Sequence, residues 1–293
     1  MIHRIVAIAG FLLFIGIRAR AEDELPDLDA TAFGVKIVAL SDMKDAFKEE
    51  KIELPTKIGV ILVHVEPHGP AANAKLHRMD VITNVNKKAI RTAEEFKTAV
   101  TALTVGKEYE VAGYRALDVR GKVTWKKGTV KITPVTVRDV FIGALRKKTD
   151  DVRDLTSYTH LDTTEFVNTR SEFYCYFVSA KSAKPTLRLQ IQYVAEDWLF
   201  IRRFTIKADD ASFTITPTGI RDVERDNSGG KIWEWHDRPV GAKERELLDA
   251  IVKAKRVILR CEGDKYQKDR DLSDGEIHRI KTILTAYRIM GGE

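Results

Sequence analysis

Apolar and polar positions along the chain fall into a succession of short strands and helices. Lys57-Ile58-Gly59-Val60-Ile61-Leu62-Val63-His64-Val65 is rich in β-branched residues and stops before Pro67, where His68-Gly69-Pro70 predicts a turn. Residues 71–76 predict a short helical turn. Asp80-Val81-Ile82-Thr83-Asn84-Val85 alternates as a half-buried strand does and runs into an Asn86-Lys87 turn. Thr92-Ala93-Glu94-Glu95 has the spacing of a capping box, in which the threonine hydroxyl and the glutamate carboxylate each take up a free N–H at a helix start. The helix it opens places Phe96, Ala99, Val100 and Leu103 on one face, and Gly106-Lys107 then turns the chain into a strand over 109–115.

Residues 136–164 are polar and mixed in charge, with one amphipathic piece at 137–145, and predict a linker. Beyond them the pattern is strongly β. Phe173 to Val178 is apolar and aromatic, residues 187–193 alternate cleanly, and residues 198–206 and 212–216 predict a hairpin about Asp209-Asp210. Ile232-Trp233-Glu234-Trp235 predicts one more strand. Helices follow over 244–253, with Leu247, Leu248 and Ile251 inside, and after the capping box Ser273-Asp274-Gly275-Glu276, with a strand at 257–261 between them. Strands first and helices later predict an α+β domain over 165–293 with a mostly antiparallel sheet.

The beginning of the chain has a different character. A basic Met1-Ile2-His3-Arg4 precedes an apolar run to Ile17, and Ala19-Arg20-Ala21 precedes the acidic Glu22-Asp23-Glu24. This is the plan of a secretory signal peptide over 1–21, with an apolar run shorter than a bilayer span; an uncleaved membrane anchor is the alternative reading. Export to the periplasm or beyond is expected, with no membrane partner once the signal is cleaved. Removing Arg4, Arg18 and Arg20 with it takes the formal net charge from +6 to +3. So small a charge, with acids and bases interspersed, excludes a nucleic-acid partner. The two cysteines, Cys175 and Cys261, lie in apolar strand-like runs, which suit either a disulfide in an oxidising compartment or two buried thiols.

The order of elements in the first half resembles the bacterial type of PDZ domain found in the HtrA family. The resemblance rests on Gly59-Val60-Ile61-Leu62-Val63, Gly69-Pro70-Ala71-Ala72-Asn73-Ala74-Lys75-Leu76, Asp80-Val81-Ile82, Val85-Asn86-Lys87-Lys88, and Thr92-Ala93-Glu94-Glu95-Phe96 with Ala99-Val100. It covers roughly residues 32–135 and implies a small β-barrel or sandwich with helices, a domain over about 30–135. It further implies a carboxylate-binding loop at Ala32-Phe33-Gly34-Val35, followed by a strand over 36–40 that accepts a peptide main chain to main chain. Gly34 would let successive N–H groups converge on a terminal carboxylate. Phe33, Val35 and Ile37, with Phe96 and Val100 from the helix, would line the pocket for the last side chain of the ligand; the same residues also suit a plain core. The chain departs from the family pattern at Ala32, where an aromatic is common and whose small side chain makes the pocket shallower, at Arg78, where proline is usual, and at Lys75 and Met79, where glycines are usual. That corner must therefore be built either without positive φ or with strain.

Other residues carry less. His64, His68 and His77 lack the spacing of a metal site, and no cofactor is expected. Asp226-Asn227-Ser228-Gly229-Gly230 resembles the nucleophile loop of trypsin-like proteases, but His160 lacks the setting of their base, and a polar hairpin loop accounts for the same residues. Trp233 and Trp235 share a strand face that suits core packing or a sugar or protein partner. The sequence thus points to an exported, non-enzymatic adaptor or scaffold that binds protein or peptide C-termini. A hydrolase or protease accessory using Ser228, and a scaffold with an empty groove, are the alternatives.

Overall fold

The computed structural model describes residues 27–119, 122–181, 183–219 and 222–293. The expected signal peptide lies outside them. The chain divides into two compact units, Met1–Ala144 and Leu145–Glu293.

The first unit is built in the order β1 (Thr31–Ala32), β2 (Val35–Ala39), a 3-10 turn (Leu40–Met43), α1 (Lys44–Glu49), β3 (Val60–Val65), α2 (Pro70–Asn73), β4 (Val81–Val85), β5 (Lys88–Ala89), α3 (Ala93–Thr101), β6 (Tyr109–Val119), β7 (Lys122–Ile132), β8 (Val135–Thr136) and α4 (Val137–Gly143). Its main sheet is antiparallel, with strand order β2-β3-β4-β6-β7 and β5 appended to β4. Strand alternation sends side chains to two clusters. One gathers Phe33, Leu62, Ile82, Val85, Phe96, Val100 and Val111; the other gathers Leu40, Met43, Phe47, Ile61, Met79 and Val81, with Trp125 against it. α3 starts where the Thr92 hydroxyl accepts the Glu95 N–H at 3.1 Å, and the Glu95 carboxylate in turn accepts the N–H of Arg91 at 2.7 Å.

The second unit continues with β9 (Leu145–Asp150), β10 (Leu155–His160), β11 (Glu172–Ala180), β12 (Thr186–Ala195), β13 (Arg203–Ala208), β14 (Ala211–Ile215), β15 (Glu224–Ser228), β16 (Lys231–Pro239), α5 (Ala242–Lys253), β17 (Val257–Glu262), β18 (Gln267–Asp271) and α6 (Asp274–Ile289). Two antiparallel sheets form, ordered β15-β16-β12-β11-β10-β9 and β14-β13-β17-β18. The α+β architecture expected from the sequence is the one found. α6 begins at a full capping box, in which Ser273 and Glu276 exchange N–H bonds of 3.2 and 2.9 Å.

The expected linker over 136–164 is instead structured throughout most of its length. Thr136 pairs with Thr31, α4 follows, and β9 and β10 close the edge of the six-stranded sheet. Its polar composition reflects an exposed edge strand, β9, rather than a lack of structure. The strand read over 198–206 joins its partner only from the Arg202 N–H, which donates to the Glu262 carbonyl at 2.7 Å, because the N–H groups of 199–201 are taken by a side chain described below. Cys175 and Cys261 are free and buried, and burial pushes both thiols up to about 12.

Candidate functional site

β2 is an edge strand of its sheet, and α3 lies against it. Its other side is paired with β3, with a register shift between Lys36 and Ile37. The chain enters β2 through Phe33 and Gly34, whose carbonyls both point inward: Phe33 accepts the Ala71 N–H at 3.0 Å and Gly34 accepts the Glu66 N–H at 2.8 Å. Gly34 has φ +71°, a left-handed conformation that glycine adopts without steric cost. A side chain here would also meet Glu66 Cβ at 3.2 Å, Val140 at 3.5 Å and Pro70 at 3.6 Å. Among the described residues, no hydrogen bond employs the N–H of Phe33 or Gly34. Neighbouring main-chain donors left free beside a residue of positive φ are the makings of an anion nest.

Of the six residues singled out in the sequence, Phe33, Val35, Ile37, Phe96 and Val100 come together in one cluster, and Gly34 stands in the chain between Phe33 and Val35 against Glu66, Pro70 and Val140. Phe33, Phe96 and Val100 are 3, 5 and 6% exposed, and the Phe33 and Phe96 rings meet edge to face at 6.2 Å. They pack on one another as core, which leaves Val35 and Ile37, both half-buried, as the apolar surface beside the edge. Sequence reasoning missed Val140 as a wall of the loop, having placed it in a linker. The amphipathic piece at 137–145 was the available signal. It also missed Glu66, which is buried beside Gly34 and whose carboxylate lies 3.3 Å from His64 Nε2.

The corner without its glycines is built with positive φ all the same: Lys75 has φ +61° and Met79 +74°. Arg115 ties it together, donating to the Lys75 carbonyl and to both oxygens of buried Asp80 at 3.2 and 2.9 Å, while Asp80 also accepts the His77 N–H at 3.0 Å. Asn86 and Lys87, both of positive φ, form the tight turn between β4 and β5.

In the second unit the polar groups face inward. The fully buried carboxylate of Glu234 accepts the N–H groups of Leu199, Phe200 and Ile201 at 2.8, 2.8 and 2.9 Å, and Arg225 Nε at 3.0 Å. This holds Phe200 at φ +54°, stacked on Trp198 with ring centroids 5.7 Å apart. Glu172 is likewise buried and is met by Thr164, Arg170 and Arg279. Burial raises the Glu276 carboxyl, but hydrogen bonds and charge from Arg270 outweigh it and hold the group below its ordinary value.

Ser228 is exposed at the end of β15, where Gly229 and Gly230, with φ +60° and +81°, make a two-residue hairpin turn to Lys231. Three strands separate β15 from β10, about 19 Å across the sheet at about 4.8 Å per step, and the strand registers set His160 a further seven residues, about 23 Å, away along the strands. His236 stands five residues beyond Lys231 on β16, about 17 Å along the strand, and its Nδ1 lies 2.6 Å from the Asp222 carbonyl. The structure does not bring Ser228 together with either of these histidines. Trp233 is buried and Trp235 half-buried.

An antiparallel sheet with a helix along its edge strand and a glycine-opened loop before that strand defines a PDZ-type unit. Residues 14–133 match the family model for the PDZ domain, and the first unit contains such a domain. A probable periplasmic serine endoprotease DegP-like protein of Hahella chejuensis (strain KCTC 2396) is 38% identical over 69 residues, 24% of this chain and 14% of that relative. The match thus spans a small part of the relative's length. Among the described residues no helix is long and apolar enough to cross a membrane.

Proposed function

We propose that the protein is an exported, non-catalytic binding protein whose PDZ domain captures an extended peptide or a protein C-terminus along β2. One observation carries this reading: β2 has an open edge beside α3 and is entered through Phe33 and Gly34, whose N–H groups have no acceptor among the described residues. A terminal carboxylate would accept those N–H groups, and the peptide main chain would add to β2 as a further strand. Val35 and Ile37 supply the apolar contact, while Phe33, Phe96 and Val100 support it from beneath. Admitting a large last side chain would require Phe33 and Phe96 to part, so small or aliphatic C-terminal residues fit best. The periplasmic relative and the signal-like residues 1–21 support an exported location. The role of the second unit is to bind a partner or to fix the protein in an assembly.

The test is titration of the full chain with a library of peptides bearing free C-termini, followed by the amidated form of each hit. Micromolar binding that disappears on amidation supports the reading. Binding indifferent to the carboxylate contradicts it.

A further inference from the structure

The other end of the same sheet carries a second opening. β6 and β7 pair with Gly113 opposite Gly128, so one face of the ribbon has a gap two side chains wide. Gly113 is required, since a Cβ there would lie 1.9 Å from the Val81 carbonyl oxygen. Gly128 is not. Its φ is ordinary, and a Cβ there would meet nothing within 4 Å. The gap opens a slot of about 180 Å³ walled by Leu76, Ile82, Val111 and Val130. An apolar cavity of about 150 Å³ accepts a benzene-sized guest, so this one has room for an aliphatic side chain.

The mouth is cationic. Arg115, Lys126 and Lys127 border the slot, and β7 is the far edge strand of the sheet, with Lys122, Lys126, Lys127 and Lys131 exposed along it. Arg115 is neutralised by Asp80 and Lys131 pairs with Glu108, but no described carboxylate pairs with Lys126 or Lys127. Lysines on an edge strand discourage indiscriminate pairing with another strand. They do so by charge, and an acidic strand escapes that repulsion.

We propose that β7 and its slot form a second docking site, distinct from the β2 edge, for an acidic extended segment of a partner protein. The segment adds along β7, seats one aliphatic side chain over Gly128, and sets its carboxylates against Lys126 and Lys127.

The probe is a short peptide of aspartates and glutamates around one central leucine, acetylated and amidated so that it offers β2 no terminal carboxylate. It is titrated against the full chain at low and physiological salt. Binding is expected, weakened about tenfold or more by Gly128→Leu, which fills the slot and denies the leucine its burial. Lys126→Glu with Lys127→Glu, both at exposed positions, should abolish binding while the melting temperature is unchanged. Absence of binding at low salt overturns the proposal, as does affinity that Gly128→Leu or the charge reversal leaves intact in a folded chain.

Discussion

The two units solve the problem of main-chain donors in opposite ways. In the second unit, three successive N–H groups at 199–201 converge on a carboxylate that the chain itself supplies, Glu234, and Arg225 completes the arrangement. In the first, the N–H groups of Phe33 and of the left-handed Gly34 take no acceptor among the described residues. An internal carboxylate stabilises a fold, whereas donors without one can receive a carboxylate from a ligand. Buried acids of this internal kind are more numerous in the second unit, although Asp80 of the first is held in the same way by Arg115 and the His77 N–H. Glu172, Glu234, Glu244 and Glu276 all lie in the second unit and are held by arginines or main-chain N–H groups. The first unit buries Asp80 to hold a corner and Glu66 beside the loop.

The sharpest way to break this comparison is Glu234→Ala. It leaves three N–H groups and the Arg225 charge without their partner, and should destabilise the second unit by about 3–5 kcal/mol. With Trp125→Phe as background, the remaining tryptophans, at 198, 233 and 235, all report that unit in denaturant titrations. A loss below about 1 kcal/mol would mean that Glu234 is not the pin described.

The boundary of the first unit is tested next. A fragment ending at 135 loses the Thr31–Thr136 pairing, the bonds from Val137 to Ala30 and from Arg138 to Leu28, and the buried Val140 and Ala144. It should be less stable than a fragment ending at 144 by about 2–4 kcal/mol. Equal melting temperatures would return those residues to a linker.

Acid should separate the units. Hydrogen bonds from Arg203 and Thr205 hold the Glu262 carboxyl down to about 2, from an ordinary 4.5. Main-chain N–H groups of Lys255 and Arg256 lower Asp209, and hydrogen bonds from Arg202, Arg260 and Arg256 lower Asp264, Asp269 and Asp271. A carboxyl depressed on folding contributes stability that is complete above its unfolded value and is lost as pH falls through the folded one. The second unit should therefore lose stability between about pH 4.5 and 2 while the first changes less, read from the tryptophan signals of the two units.

The smallest effects lie at the corner. Lys75→Gly relieves a left-handed side chain and should gain about 0.5–1 kcal/mol. Met79→Gly relieves the same conformation but empties a core position 5% exposed, and should lose about 1–3 kcal/mol. Opposite signs at two residues of like φ would confirm that packing, not backbone strain, kept Met79.

The first unit was the more legible because its signals are local: the Val60 run, the Gly69-Pro70 start, the Thr92 cap and the Phe96 face each declare an element within a few residues. β7 did not, since Lys126, Lys127 and Gly128 interrupt any alternation on an exposed edge. Glu234 was read only as part of a short strand, because its role depends on residues about 35 positions earlier that look like a strand themselves. At the candidate site, Gly34 was readable from its type and place. That Phe33 and Phe96 would close on one another was not, because a pocket wall and a core residue have the same chemistry.

The most direct test of the account is one calorimetric titration of the full chain with a C-terminal peptide drawn from the library, run beside Gly34→Ala. A Cβ at Gly34 crowds Glu66 and strains a backbone of positive φ, at a cost of about 1–2 kcal/mol, so the variant is first shown to be folded. The account predicts micromolar binding by the parent chain, lost on amidating the peptide and lost in the folded variant. Undiminished binding in both cases would place the ligand elsewhere and contradict capture at Phe33 and Gly34.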